Sequence, residues 1–259
     1  MATDPYAAPR SRVADVPALA DEGNFILDGQ AVPAGNGWTW ITDGWALFAK
    51  QPGIWIAIVV VFLIIFVVIS LIPFVGGLAA ALLGPVFAGG IMLGCRALDQ
   101  GDELEFGHLF AGFRENAGQL VMIGVFNLVA WIVIGIVVAL IVGASAFALF
   151  SGGGAARTTG SMMGILLGAL IALALAVPVY MAIWFAAPLV ALNRLDAVTA
   201  LKTSFAACWK NIVPFLLYGV ILFVFAILAA IPFGLGWLVL GPVVAASVYT
   251  AYRDIFYAS

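Results

Sequence analysis

The sequence predicts an all-α, polytopic membrane protein: about six transmembrane helices in three parallel, repeated hairpins, each preceded by an amphipathic interfacial helix. Three observations carry that expectation. First, 65% of the 259 residues are hydrophobic and only 9% are charged, with a mean hydropathy of +1.18. A soluble domain carries about a quarter of its residues as Asp, Glu, Lys or Arg, so this chain needs lipid as its solvent. Second, no Asp, Glu, Lys, Arg or His interrupts 45 residues after Lys50, 41 after Glu115, 36 after Arg157 or 42 after Lys210. One helix needs roughly 20 apolar residues to cross a bilayer, and its backbone must satisfy its own hydrogen bonds there. Third, short amphipathic segments precede these runs at matching positions.

Taken in order, residues 1–36 form a tail broken by Pro5, Pro9, Pro17 and Pro33, whose apolar content is mostly Ala. It offers little to bury and is expected to be disordered and cytoplasmic, with Phe25-Ile26-Leu27 as its one patch able to dock. Its first ten residues lack the apolar stretch of a signal peptide. The remainder, 37–259, reads as a single membrane domain with units near 38–96, 103–193 and 197–255. Turn signals at Ile72-Pro73-Phe74-Val75-Gly76-Gly77 and Ile231-Pro232-Phe233-Gly234-Leu235-Gly236 split the outer runs into spans near 54–72, 77–95, 212–231 and 236–253. A Gly-rich loop over 151–161 separates longer runs near 119–150 and 162–192.

Six spans place Arg10, Arg12, Lys50, Arg96, Arg114, Arg194, Lys202, Lys210 and Arg253 on one side and Arg157 on the other. The basic side faces the cytoplasm, so both termini are expected there.

The repeat shows when residues 41–51 are aligned with 106–116 and 201–211. Ile41, Phe106 and Leu201 coincide, as do Trp45, Phe110 and Phe205; Ala46, Ala111 and Ala206; Phe48, Phe113 and Cys208; and Gln51, Asn116 and Asn211. The apolar columns recur at i, i+4 and i+7, one face of a helix. Trp38, Trp40, Trp45, Phe48, Phe110, Phe113, Phe205 and Trp209 are the expected interfacial anchors, since aromatic rings collect at the headgroup level. Gly84-Pro85 and Gly241-Pro242 recur past the turns. The middle unit differs: Glu115 to Ser151 covers 36 residues, against 23 from Lys50 to Pro73. At 1.5 Å per residue the excess adds about 20 Å of helix, so this hairpin must tilt, kink or protrude, with Pro178 and Pro188 as candidate kinks. Mitochondrial carriers also repeat hairpins with surface helices, but their Pro-x-Asp/Glu-x-x-Lys/Arg motif has no counterpart here.

No motif assigns catalysis, a cofactor or a metal. There is no phosphate loop, His-Glu-x-x-His or Gly-x-Ser-x-Gly. His108 reads as a solvated interfacial residue, and Asp99, Asp102, Glu103 and Glu105 lack calcium-loop spacing. Cys95 and Cys208 match no metal or redox pattern and read as packing residues. Asn127 is the most polar residue within a span, suited to an interhelical hydrogen bond or a substrate contact. Gly90-x-x-x-Gly94 and Gly164-x-x-x-Gly168 allow close helix approach, within the chain or between copies. Ten Lys and Arg with no basic run speak against nucleic acid. Membrane lipids are the expected partners, with a protein partner or a second copy as further candidates.

Gly37-Trp38-Thr39-Trp40, Gly44-Trp45-Ala46-Leu47-Phe48, Ala200-Leu201-Lys202-Thr203-Ser204-Phe205, Lys210-Asn211 and Tyr249-Thr250-Ala251-Tyr252-Arg253-Asp254 carry a resemblance. Over most of 37–257 the chain resembles an uncharacterised family of proteobacterial six-helix inner-membrane proteins. It is more loosely similar to the membrane domain of some glycerophosphodiester phosphodiesterases, whose catalytic barrel it lacks. The resemblance implies a bacterial inner-membrane location and no activity. The expected function is therefore a non-enzymatic one, structural, lipid-organising or partner-binding; the alternative is a transporter or channel for a small neutral or lipid-like solute.

Overall fold

A computed structural model describes residues 25–73, 75–150 and 155–258. Its elements are α1 (Asn36–Lys50), α2 (Pro52–Ser70), α3 (Val75–Gln100), a 3₁₀ helix (Phe106–Phe113), α4 (Ala117–Phe150), α5 (Ala155–Trp184), α6 (Ala186–Asn193), α7 (Ala197–Lys210), α8 (Ile212–Ala230) and α9 (Trp237–Phe256). Among the described residues the only β pairing is a single bridge between Phe25 and Tyr257.

Among the described residues, five helical segments are long and apolar enough to cross a membrane: Pro52–Ser70, Val75–Gln100, Ala117–Ser145, Met162–Asn193 and Ile212–Ala230. α9 is not among them, because its last turns carry Tyr249, Tyr252, Arg253 and Asp254. It is instead enclosed along one side, with Val243, Ala246, Tyr249, Tyr252, Ile255 and Phe256 all buried. On α2, α4, α5 and α8 large apolar side chains such as Ile64, Val67, Leu140, Leu173 and Phe223 face outward. A helix apolar all round is a membrane helix when no protein covers it.

The short segments dock in a consistent way. α1 packs chiefly on α9, the 3₁₀ helix on α3, and α7 on α5, so each leans on a helix of another pair. Gly44 permits the first contact, since a Cβ there would stand 2.7 Å from the Ser247 nitrogen. Gly90 and Gly112 permit the second: a side chain on either would meet backbone oxygen of the facing segment. This crowding accounts for a tight 3₁₀ winding where an α-helix was expected. At the third contact the Ser204 hydroxyl accepts from the Phe185 N–H at 2.9 Å and donates to the Met181 carbonyl at 2.7 Å. It fills a break between α5 and α6 that falls where Pro188 would clash with the carbonyl four residues back. Pro178 stays inside α5. The break lies at Phe185, so of the two candidate kinks Pro188 is the one beside it.

Carboxamides tie these contacts together. Gln51 Oε1 accepts from the Leu104 N–H just before the 3₁₀ helix, and Gln119 Oε1 accepts from Ala197 N–H at the start of α7. Asn211 Oδ1 accepts from Val32 N–H in the lead-in to α1, while its Nδ2 donates to Gln30 and Ala207 carbonyls. Residues 25–35 are therefore part of the folded body. Gln30 donates to the Asp254 and Tyr257 carbonyls, and Phe25 packs against Phe256 and Tyr257. Within the tail expected over 1–36, residues 25–35 are thus held by polar backbone and one Phe rather than by aliphatic content. Residues 1–24 lie outside the described residues, as does Ser151–Gly154 of the expected loop. Helix α5 already begins at Ala155.

Both Gly-x-x-x-Gly pairs are used within the chain. Gly94 faces Leu104 and His108, and Gly164 and Gly168 face Ser145 and Val142 across the α4–α5 contact.

Candidate functional site

A group of polar side chains converges where α1 crosses the C-terminal halves of α3 and α9. α1 ends on Lys50, α3 on Gln100 and α9 on Phe256. Asp254 Oδ2 accepts from Trp40 Nε1 at 2.7 Å and from Asn36 Nδ2 at 2.8 Å. Tyr249 donates its hydroxyl to Asp99 Oδ2 at 2.9 Å, and Arg253 Nε lies 3.8 Å from the same oxygen. The Arg253 guanidinium sits 4.6 Å above the Tyr257 ring, a cation–π distance. Lys50 Nζ donates to the Leu98 carbonyl in the last turn of α3. These groups surround a cavity of about 500 Å³, lined also by Asp43. Burial, and then the negative charge of Asp254, hold the Asp43 carboxyl above the usual carboxylate range. Chemically the cavity presents three carboxylates and two cations.

Beside it, Asn193 donates to the Tyr257 hydroxyl at 3.0 Å and accepts from Tyr252, whose hydroxyl lies 3.1 Å from that of Tyr257. This cluster locks the C-terminal end onto α6.

The expected anchors divide into two groups. Trp45, Phe110 and Phe205, aligned in one column, are 53%, 37% and 36% exposed, and Trp38, Phe113 and Trp209 also face outward. Trp40 and Phe48 do not: they are 1% and 5% exposed and belong to the core. The correction has a simple cause, because α1 is flanked by both α8 and α9 and so buries two of its faces. Two columns face inward in all three segments: Gly44, Leu109 and Ser204, and Leu47, Gly112 and Ala207, each of three dissimilar residues. Asn127 is partly buried, and its Oδ1 has no hydrogen-bond partner.

The acidic cluster is dispersed: Asp99 serves the cavity, whereas Glu105 caps the 3₁₀ helix, its N–H donating to His108 Nδ1 at 2.9 Å. Cys95 and Cys208 are both free and buried, and burial pushes the Cys208 thiol up to about 12. Sequence reading missed Asn36, Asp43, Asp99, Tyr249, Arg253 and Asp254 as one group. The available signal was the meeting of two motif blocks, since Trp40 from the first and Asp254 from the last are hydrogen-bonded partners.

Five membrane-length apolar segments, arranged around a buried polar end, define a helical integral membrane protein. The chain belongs to a family of such proteins: residues 71–191 match the family described as Predicted integral membrane protein (DUF2189). It is similar to a probable inner membrane protein of Burkholderia thailandensis, 31% identical over 211 residues that cover 79% of this chain and 77% of the relative. No solved structure matches.

Proposed function

We propose that this protein is a non-catalytic inner-membrane scaffold that crosses the bilayer six times and organises lipids, or holds a partner, at the face bearing both chain ends. That face is the cytoplasmic one. The observation that carries the topology is the seating of Phe25 against Tyr257. Two points of the chain that lie side by side require an even number of crossings. Five apolar segments among the described residues are an odd number, which supports taking α9, with its 20 helical residues, as the sixth. With six crossings, nine of the ten Lys and Arg fall on the face of the chain ends, which supports its cytoplasmic orientation.

The docking pattern supports three parallel repeats closed into a ring. Unit two leans on unit one through the 3₁₀ helix and α3, unit three on unit two through α7 and α5, and unit one on unit three through α1 and α9. The Gln51, Gln119 and Asn211 carboxamides follow the same cycle. Such closure leaves Trp45, Phe110 and Phe205 pointing outward at three places around the rim.

The scaffold reading is favoured over transport by the lining of the cavities among the spans. Those of about 320, 450 and 380 Å³ are walled by residues such as Trp184, Phe215, Phe225, Val239, Ile58 and Phe62. A path for a polar solute needs hydrogen-bonding walls. Two experiments test the reading. A cysteine placed at Thr158 should react with an impermeant maleimide in intact cells and one at Gly101 should not; the reverse pattern defeats the orientation. Proteoliposomes should pass glycerol, urea and a labelled lysolipid no faster than protein-free vesicles. A flux proportional to protein content would overturn the scaffold in favour of the transporter.

A further inference from the structure

We propose that the cavity between α1, α3 and α9 binds a phosphoethanolamine group, its ammonium held by Asp43 and Asp254 and its phosphate by Lys50 and Arg253, with a phospholipid headgroup as the source. The inference deepens the lipid-organising reading and rests on it for the choice of a lipid.

Geometry and charge lead there together. The cavity of about 500 Å³ is of ligand size. Three carboxylates, Asp43, Asp99 and Asp254, stand against two cations, Lys50 and Arg253. The net field therefore favours a positive group. Asp99 is already engaged by Tyr249 and Arg253, and Asp254 Oδ2 by Trp40 and Asn36, which leaves the Asp43 carboxylate and the second oxygen of Asp254 to receive it. Burial, and then repulsion from Asp254, already raises Asp43, and a cation between the two carboxylates relieves the repulsion.

The remaining choices fall on chemistry. Among the described residues no three His, Cys, Asp or Glu side chains stand as metal ligands would, so a bare metal ion is a poor fit. A quaternary ammonium is held by aromatic faces, but the Tyr257 ring is covered by Arg253 and the Tyr249 side chain is buried. A primary ammonium, with three N–H donors for carboxylate oxygens, fits instead. A lone phosphate would meet more negative than positive charge. A group carrying both signs within a few ångströms uses both halves of the lining, and on the face where the chain ends meet it can be offered by the adjoining leaflet.

The test uses the full-length protein in nanodiscs of fixed anionic content, with either phosphatidylethanolamine or phosphatidylcholine as the zwitterionic lipid. Melting temperature and bound lipid are measured for the native chain, Asp43→Asn and Asp43→Lys. Asp43 is exposed, so Asp43→Asn should fold. The native protein should melt higher and retain more lipid with phosphatidylethanolamine. Asp43→Asn should lose that preference, weakening binding by about tenfold, and Asp43→Lys should abolish it, both with unchanged melting in phosphatidylcholine. Any effect of lipid shape alone would persist in the variants, so persistence overturns the site. Equal melting of the native protein in both lipids overturns it too. Titration of the detergent-solubilised protein with O-phosphoethanolamine separates the sources. Saturable stabilisation by it, without a lipid preference, keeps the chemistry and overturns the lipid source. Phosphocholine and inorganic phosphate should do nothing. The scaffold itself is judged separately by flux, so a failed headgroup site and a failed scaffold are told apart.

Discussion

The end of the molecule where α1, α3 and α9 meet and the far half of the α4–α5 pair are held by different forces. At the first, Trp40, Asn36, Tyr249 and Asn211 make side-chain hydrogen bonds across the chain, and most large side chains are enclosed. At the second, Leu140, Leu166, Leu170 and Leu173 face outward. Helix α4 alone has 34 residues, about 50 Å at 1.5 Å per residue, well beyond a ~30 Å hydrocarbon core. One end is specified by protein contacts and the other by lipid. Substitutions that add bulk or remove a polar partner should therefore be costly at the first and nearly silent at the second.

The sharpest form of that contrast lies in the glycines. Gly90→Leu or Gly112→Leu drives a side chain into facing backbone and should cost about 3 kcal/mol or more, with loss of folded yield on size-exclusion chromatography. Gly143→Leu in α4 meets open space and should change melting by less than about 0.5 kcal/mol. Equal losses would erase the distinction.

Next in size is the pair of asparagines. Asn211 is fully buried and makes three hydrogen bonds, two of which hold Gln30 and Val32 at the α7–α8 junction. Asn211→Ala should cost about 2–3 kcal/mol and open residues 25–35 to limited proteolysis. Asn127→Leu, removing an oxygen with no partner, should be neutral or stabilising. A strong loss at Asn127 would show that its oxygen has a partner after all.

The outward aromatics come third. Trp45→Asp, Phe110→Asp and Phe205→Asp each put a charge at the apolar boundary, costing roughly 1–3 kcal/mol near an interface. Arg114→Ser and Lys202→Ser should cost less than about 1 kcal/mol. Should only one aromatic matter in thermal melts, the three segments are not equivalent.

These residues also show how far the sequence could be read. The helices, their turns at Pro73 and Pro232, and the outward column Trp45, Phe110 and Phe205 were legible, because lipid imposes length and hydropathy directly. The inward columns were not. Gly44, Leu109 and Ser204 fill the same kind of gap with no side chain, an aliphatic one and a hydroxyl, so similarity of residue type concealed their equivalence. The polar cavity was hidden for another reason. Its members stand at 43, 50, 99 and 249–254, and only the closing of the chain on itself brings them together. Residues 25–35 misled because low aliphatic content suggests disorder, whereas this stretch is held by hydrogen bonds.

The smallest effect is at Asp196, which caps α7 by accepting from Val198 and Thr199 N–H. Its hydrogen bonds, first from the Thr199 side chain, hold the carboxyl below its usual range. The carboxylate therefore stabilises the fold above the ordinary carboxylate range, and that contribution is lost as pH falls through the lowered value. Asp196→Ala should melt slightly lower at neutral pH and match the native chain in acid. A gap that persists in acid would assign the loss to packing.

Ring closure by the N-terminal segment is the feature on which topology and scaffold both depend, and one cross-link tests it. Phe25 and Tyr257 are directly opposed in their bridge, a pairing that brings Cα atoms within about 5.5 Å and hence within disulfide reach. With Cys95 and Cys208 replaced by Ala, the Phe25→Cys/Tyr257→Cys chain, oxidised in native membranes, should form an intramolecular disulfide in nearly every molecule. It should then migrate faster on non-reducing gels, and the shift should vanish on reduction. A chain that stays reduced, or that links only to a second copy, would contradict the closed six-crossing fold we propose.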